Sequence, residues 1–299
     1  MITDLHEMKY SQILMKNSEF KQNLTGEAYG ITVLSNIVTS QLNDILEYAL
    51  RSQGINAQVR SGDYDNILQD AAKFPDSKLL IIFWELSNIL DGMPHKFEVM
   101  NEATRAELTG KIKSELAFFF QTISGRSQVI LNTFSARAFT HRFPYQSPLD
   151  NLATELNKFL RQNVPVNTVL IDLDKILARV SIDRAIDYRY YYSSKALYSI
   201  DFYKDYSVTV APYILAPLGK SKKAVILDCD NTLWKGILGE DGPQGIDMSP
   251  ESNEGGIFQE VQSLLLSLHA QGILLGLCSK NNSEEVDQVL REHPDMLIK

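Results

Sequence analysis

Short apolar, β-branched runs alternate along this chain with longer amphipathic stretches, and that alternation constrains its fold more than any other feature. The runs are ITVLSN at 31–36, INAQVR at 55–60, KLLIIFWEL at 78–86, QVILNTF at 128–134 and NTVLIDLD at 167–174. Stretches with helical spacing lie between them at 40–53, 100–123 and 147–162. A strand covered on both faces reads as a continuous apolar run, and a parallel neighbour is reached by a crossover, usually a helix. Five such runs with crossovers predict one complete doubly wound α/β domain.

At 299 residues the chain exceeds one ordinary core, which predicts a second domain. PLGKSKK at 217–223 reads as the linker, and AVIL at 224–227 opens a new α/β series. In IFQEVQSLLLSLHAQ, 257–271, the residues Ile257, Val261, Leu264, Leu265 and Leu268 share one helical face. Gly272 suits the C-terminal cap of that helix, the strand ILLGLCS follows at 273–279, and Asn282 with Glu285 predicts a capping box for a last helix. The expected architecture is two doubly wound, Rossmann-like, three-layer domains. Residues 1–218 would form the first, with 1–30 as an N-terminal extension and 175–218 as an interdomain region; residues 219–299 would form the second.

A formal net charge of −8 argues against a nucleic-acid partner, which needs a basic face. The longest apolar runs, such as LLIIFW at 79–84, fall short of the roughly 20 residues that span a bilayer, so no membrane segment is expected. The N-terminus mixes Asp4, Glu7 and Lys9 among its apolar positions without a signal-peptide core, and it reads as cytoplasmic. Cys229 and Cys278 are too few for a disulfide framework and read as a reduced, inert pair, with oxidation that silences the site as the alternative.

The chemistry concentrates in VILDCDNTLW, 225–234, where Asp228 and Asp230 follow an apolar run that reads as a buried strand. In open parallel sheets ligands sit at the carboxyl ends of strands, and Ser279 closes the next strand of the same series. Two acids beside a hydroxyl suit a hard cation, held through oxygen, together with a phosphate. A near repeat, VLIDLDKIL at 169–177, carries Asp172 and Asp174, but it has Ile176 where the other has Thr232, and no strand ending in serine follows it closely. That pair reads as a strand-end turn and a helix start.

DCDNT at 228–232 fits the DxDxT signature of the haloacid dehalogenase-like phosphotransferases, and the strand ending in Ser279 fits their second motif. More narrowly, DCDNTLWKGILGEDG at 228–242 followed by CSKNN at 278–282 resembles the FkbH-like branch, whose members handle phosphorylated three-carbon units on carrier proteins. The upstream domain resembles the degenerate SGNH-hydrolase-like domain that precedes the phosphatase domain in that branch. The resemblance implies Asp228 as nucleophile, forming an aspartyl-phosphate, and Asp230 as general acid and then base. It implies Mg2+ held by the Asp228 side chain and the Asp230 backbone carbonyl. Ser279 and the backbone amides after Asp228, beginning at Cys229, would bind phosphate; Thr232 would brace the turn, and Lys280 and Asn281 would line the pocket. The substrate implied is a phosphorylated glyceryl-type unit on an acyl carrier protein.

Between Asp228 and Ser279 there is room for a loop and one helix but not for a cap domain, so the site is expected to be open. The family's later motifs, a lysine and then an acidic residue or pair, would lie beyond Ser279. The expectation is therefore a domain incomplete at its C-terminus, with a third acidic metal ligand beyond Lys299 and weak or absent Mg2+ binding by this chain. Two other readings stand beside this one. One is a generic capless phosphatase of proteins or sugar phosphates, and the other a carrier-protein-binding module whose phosphatase half is silent.

In the upstream domain Ser35 ends the first strand, where an SGNH esterase carries its nucleophile, and Asn132 stands where an oxyanion donor would. No histidine lies between His141 and His269, so the late base of such an esterase is missing, and a binding scaffold or carrier-docking domain is the better expectation. His95 and His141 have no assigned role. Tyr188, Tyr190, Tyr191 and Tyr192 with Arg189 read as a seam between domains or, alternatively, as a contact for a ligand or partner.

Overall fold

A computed structural model describes residues 2–126 and 128–299. The chain divides into two compact units on either side of the Lys220–Ser221 bond.

In chain order the first unit contains α1 (Tyr10–Asn23), β1 (Tyr29–Ser35), α2 (Ser40–Arg51), β2 (Ala57–Ser61), β3 (Leu79–Phe83), α3 (Glu102–Ile123), β4 (Val129–Asn132), α4 (Pro148–Asn163), β5 (Thr168–Ile171), α5 (Leu173–Val180) and α6 (Ile200–Leu215). The five strands are parallel in the order β2-β1-β3-β4-β5, with Ile31 beside Leu79, Leu80 beside Val129 and Val129 beside Thr168. This is a doubly wound sheet whose order reverses between β1 and β3. Every residue of β3 and of β4 is buried, as expected for strands covered on both faces. Successive side chains point to opposite faces: Phe83 meets Phe202, Tyr203 and Tyr206 of α6, whereas Trp84 meets Phe119 of α3.

The helices start on ordinary caps. Asn101 accepts the Thr104 N–H at 2.9 Å, and Ser147 forms a capping box with Asp150, with Pro148 at the first helical position. Residues 1–30 belong to this unit. Tyr10 of α1 donates to Asp44 of α2 at 2.6 Å, Asn17 donates to Glu47 at 3.1 Å, and Tyr29 and Gly30 already pair in β1. Residues 175–218, read as the interdomain region of the first domain, pack into that unit: α6 supplies Phe202, Tyr203, Tyr206 and Val210 to the first core. The tyrosine cluster divides in the same way. Tyr191 is wholly buried in that core and the Tyr188 hydroxyl donates to the Ala138 carbonyl, while Tyr190 and Tyr192 are exposed. The first unit's own core thus accounts for the buried ring of Tyr191 and the half-buried ring of Tyr188.

The second unit contains β6 (Ala224–Leu227), α7 (Gly255–Ala270), β7 (Leu274–Leu277) and α8 (Ser283–Glu292). β6 and β7 are parallel, with Ala224 beside Leu274 and Leu227 beside Leu277. Among the described residues this is one βαβ unit and a following helix, fewer elements than a full three-layer domain has. Its core is small and gathers around Cys229, Leu233, Trp234, Leu238, Met248 and Leu265. The apolar stripe along α7 is only partly covered: Ile257 and Leu264 are exposed, whereas Gln262 and Leu265 are buried. Burial follows the partner, and the partner here is the turn at Leu233, whose carbonyl accepts from Gln262 Nε2 at 2.8 Å. Gly272 follows α7 at φ +93°, as a terminating glycine should. Asn282 caps α8 through the Glu284 N–H at 2.9 Å, not through the Glu285 N–H that a capping box uses.

Candidate active site

β6 ends at Leu227, and the chain then turns sharply. The Cys229 carbonyl accepts the N–H groups of Thr232 and Leu233 at 3.1 and 2.8 Å. Asn231 lies in the left-handed region at φ +53°, which asparagine tolerates better than most side chains, and its Oδ1 accepts the Gly236 N–H at 3.1 Å. Gly236 itself has φ +101°, and a Cβ there would sit 2.8 Å from Asp241 Oδ2. The Cys278 N–H donates to the Leu227 carbonyl at 2.8 Å, which places the ends of β6 and β7 side by side.

Asp228 is exposed at this edge. Its Oδ1 accepts the Cys229 N–H at 2.8 Å, so the amide expected to meet phosphate is engaged by the nucleophile candidate itself. Asp230 is half-buried and more firmly held. Its Oδ1 accepts from Trp234 Nε1 at 3.1 Å, from the Leu238 N–H at 3.1 Å and from Asn281 Nδ2 at 2.9 Å. Ser279 Oγ accepts the Asn281 N–H at 3.2 Å. Burial pushes the Cys229 thiol up, its contact with the Ser279 hydroxyl works against this, and the charges of Asp228 and Asp230 add to the rise. Cys229 is therefore a protonated, buried thiol with little thiolate to react.

The structure thus brings Asp228, Asp230, Ser279 and Asn281 to one edge. Asn281 arrives as a partner of Asp230, whereas the sequence had set it toward phosphate. Thr232 sits in the turn through its backbone, and Lys280 is exposed beside Ser279. Sequence reasoning missed Trp234 and the Leu238 amide. A signal for the first existed: a buried indole N–H needs an acceptor, and two carboxylates stand within six residues of it. Beyond the turn, Asp247 accepts the Ser249 N–H and the Ser252 hydroxyl, which hold its carboxyl below the usual range, and Lys235 pairs with Glu254. Among the described residues, no three His, Cys, Asp or Glu side chains gather as a metal-binding group.

The look-alike pair is structural. Asp172 caps α5 by accepting the N–H groups of Asp174 and Lys175, while Asp174 accepts the Ser135 hydroxyl at 2.6 Å and pairs with Arg137 at 2.9 Å. The esterase-like positions also make bonds within the fold. Ser35 is buried and accepts the Ile37 N–H at 3.1 Å. Asn132 is fully buried, gives its amide protons to the carbonyls of Trp84 and Thr133, and accepts the Trp84 N–H at 2.7 Å. It has no proton left for an oxyanion and ties β3 to β4 instead. His95 lies edge-on to Phe139, and the His141 ring bonds the Arg137 carbonyl.

No protein-family model matches the chain, and no curated protein matches it. Among solved structures, the N-terminal part of the protein BF1531 from Bacteroides fragilis, which contains a phosphatase domain complexed with Mg, is similar with a TM-score of 0.76 and 21% identity. The match covers 98% of this chain and 79% of that one, and it shows the fold. The salicylyl-acyltransferase SsfX3 from a tetracycline biosynthetic pathway is 16% identical with a TM-score of 0.41 over 65% of this chain and 56% of its own, too low to argue from. No described helix is long and apolar enough to cross a membrane.

Proposed function

We propose that the chain is a Mg2+-dependent phosphatase or phosphotransferase of the haloacid dehalogenase type, working through an aspartyl-phosphate on Asp228. The observation that carries this reading is the edge formed by β6 and β7, where an exposed Asp228 stands beside a firmly held Asp230, with Ser279 just past the end of the adjoining strand. The shared fold with a protein whose phosphatase domain binds Mg supports it.

The donor set suits magnesium, which prefers oxygen and takes one or two carboxylates while keeping several waters and substrate oxygens. The Asp228 carboxylate and the Asp230 carbonyl would hold it, and when bound it supplies positive charge that offsets the repulsion between carboxylate and phosphate. In the first step an Asp228 oxygen bonds to phosphorus, the bond to the leaving oxygen breaks, and Asp230 gives that oxygen its proton. In the second, water attacks phosphorus, Asp230 takes the water's proton, and the bond to Asp228 breaks, releasing phosphate. The Ser279 hydroxyl accepts from the Asn281 amide, so it keeps a proton to donate to a phosphoryl oxygen.

The substrate we infer is a phosphorylated glyceryl-type unit on an acyl carrier protein, as in the FkbH-like branch, with the first unit as its SGNH-like docking scaffold. Exposure of Asp228 supports a substrate presented on something large. The test is Asp228→Asn, which should abolish both Mg2+-dependent release of phosphate and phosphate labelling of the protein; labelling that survives would sink the nucleophile assignment. Moving the phosphorylated unit from a small thioester to a carrier protein should raise kcat/KM, and an unchanged value would exclude the carrier.

A further inference from the structure

We propose that Asn281 and Trp234 are positioning residues that hold Asp230 by one oxygen and so assign proton transfer to the other. The inference rests on the phosphatase reading above and deepens it.

Three donors meet Asp230 Oδ1, and none of the described residues donates to Oδ2. An oxygen that already accepts three hydrogen bonds cannot take a transferable proton without expelling one of them. Oδ2 has no such cost and is the atom that gives the proton to the leaving oxygen and later takes one from water. The donors come from three directions. Trp234 lies four residues on and is fully buried, so its ring cannot turn away. The Leu238 N–H opens the short helix Leu238–Asp241. Asn281 reaches across from the loop after β7, the same loop whose N–H meets Ser279. Through Asn281, the group that handles the proton and the group that faces phosphate are held in one register. Positioning of this kind pays in the chemical step, because small errors in the placement of a catalytic group cost large factors in rate.

A purely structural role would predict something else. If the two side chains only satisfied a buried acid, removing them would slow every substrate alike. If they aim Oδ2, the loss depends on how much the leaving oxygen needs a proton. An alkyl phosphate needs full protonation, and a p-nitrophenyl phosphate needs almost none.

The experiment measures single-turnover phosphorylation of the full chain with both substrates, for Asn281→Ala and for Trp234→Phe, which keeps the ring and loses the N–H. A general acid is worth roughly 10² to 10⁴ in rate, so loss of one of its three anchors should cost the alkyl substrate about 10-fold more than the aryl one. Equal losses on both substrates would overturn the proposal. The second readout needs no turnover. The protein has two tryptophans, Trp84 and Trp234, hence two indole N–H signals in a nitrogen-15 spectrum. Asp230→Ala and Asn281→Ala should each move the Trp234 signal and leave that of Trp84 in place; an unmoved Trp234 signal in both variants would also overturn it. If the unaltered chain forms no phosphoenzyme with either substrate, the phosphatase reading falls and takes this inference with it. If phosphorylation is normal but the alkyl-to-aryl ratio is unchanged in the variants, only the inference falls.

Discussion

Glu85 is the most exacting test of the first unit's energetics. It follows β3, is 1% exposed, and lies on the aromatic side of the sheet. Its Oε2 accepts the Tyr198 hydroxyl at 2.7 Å, and its Oε1 accepts from the Ser87 N–H and hydroxyl at 3.4 and 3.3 Å. Burial raises its pKa from 4.5 to about 7, against the pull of those hydrogen bonds. The folded state therefore holds its proton more tightly than the unfolded chain. The stability this gives is fully present below pH 4.5, falls as pH rises through about 7, and then levels off. A rise from 4.5 to about 7, at 1.36 kcal/mol for each pH unit, makes the fall about 3 kcal/mol.

Glu85→Gln keeps an acceptor for Tyr198 and cannot ionise. Urea unfolding at a series of pH values, read by hydrogen exchange at the β3 amides, isolates the unit that holds Glu85. The variant should lie within about 1 kcal/mol of the parent at pH 5 and exceed it by about 2 to 3 kcal/mol at pH 8. Other titrating groups cancel in the difference between the two proteins. Two curves separated by a constant offset at every pH would refute the reasoning, because they would mean that Glu85 binds its proton equally in the folded and unfolded states.

Three further outcomes are expected. Gln262→Ala removes a buried amide that gives to the Leu233 carbonyl and takes from the Leu297 N–H at 2.8 Å; it should destabilise the second unit by about 2 kcal/mol, seen as a lower midpoint in thermal unfolding followed at Trp234. Asp172→Ala should cost about 1 kcal/mol as a lost helix cap and leave phosphate release unchanged, so a loss of activity would mean that the two acid pairs had been sorted wrongly. Asn132→Ala should cost roughly 1 to 3 kcal/mol through the unpaired Trp84 amide and carbonyl, measured by urea unfolding, with no esterase activity present before or after.

The sheet of the first unit was legible because burial on both faces leaves an unbroken apolar run, and all five runs became strands. The run at 78–86 overshot β3 because Trp84 and Leu86 stay buried after the strand ends, serving the core from a turn and a short helix. Hydrophobicity marks what is buried, not what is extended. The same limit explains α7, where the inward side chain next to Leu265 is a glutamine that no apolar pattern registers. At the site, the acids and the serine were legible from type and spacing. The anchoring of Asp230 was not, since one donor is a backbone N–H that any residue would offer, and another reaches Asp230 only once the loop after β7 is built.

The two aspartate pairs show what decides between a structural and a chemical role when the letters are nearly the same. Both follow a parallel strand, and both pairs are spaced one residue apart. Asp172 accepts two N–H groups on its Oδ1 at the start of its own helix, and its neighbour Asp174 has both oxygens claimed, Oδ1 by the Ser135 hydroxyl and Oδ2 by Arg137. Asp228 is held by a single neighbouring amide, and Asp230 by three donors on the same oxygen, so each keeps its Oδ2 without a donor among the described residues. A carboxylate such as Asp174, with both oxygens claimed inside the fold, can only hold the fold together, and the pair at 172 and 174 fails there. One that is fixed through a single oxygen is rigid and still has an atom to react with, and that is the condition a nucleophile and an acid working on the same phosphate must both meet.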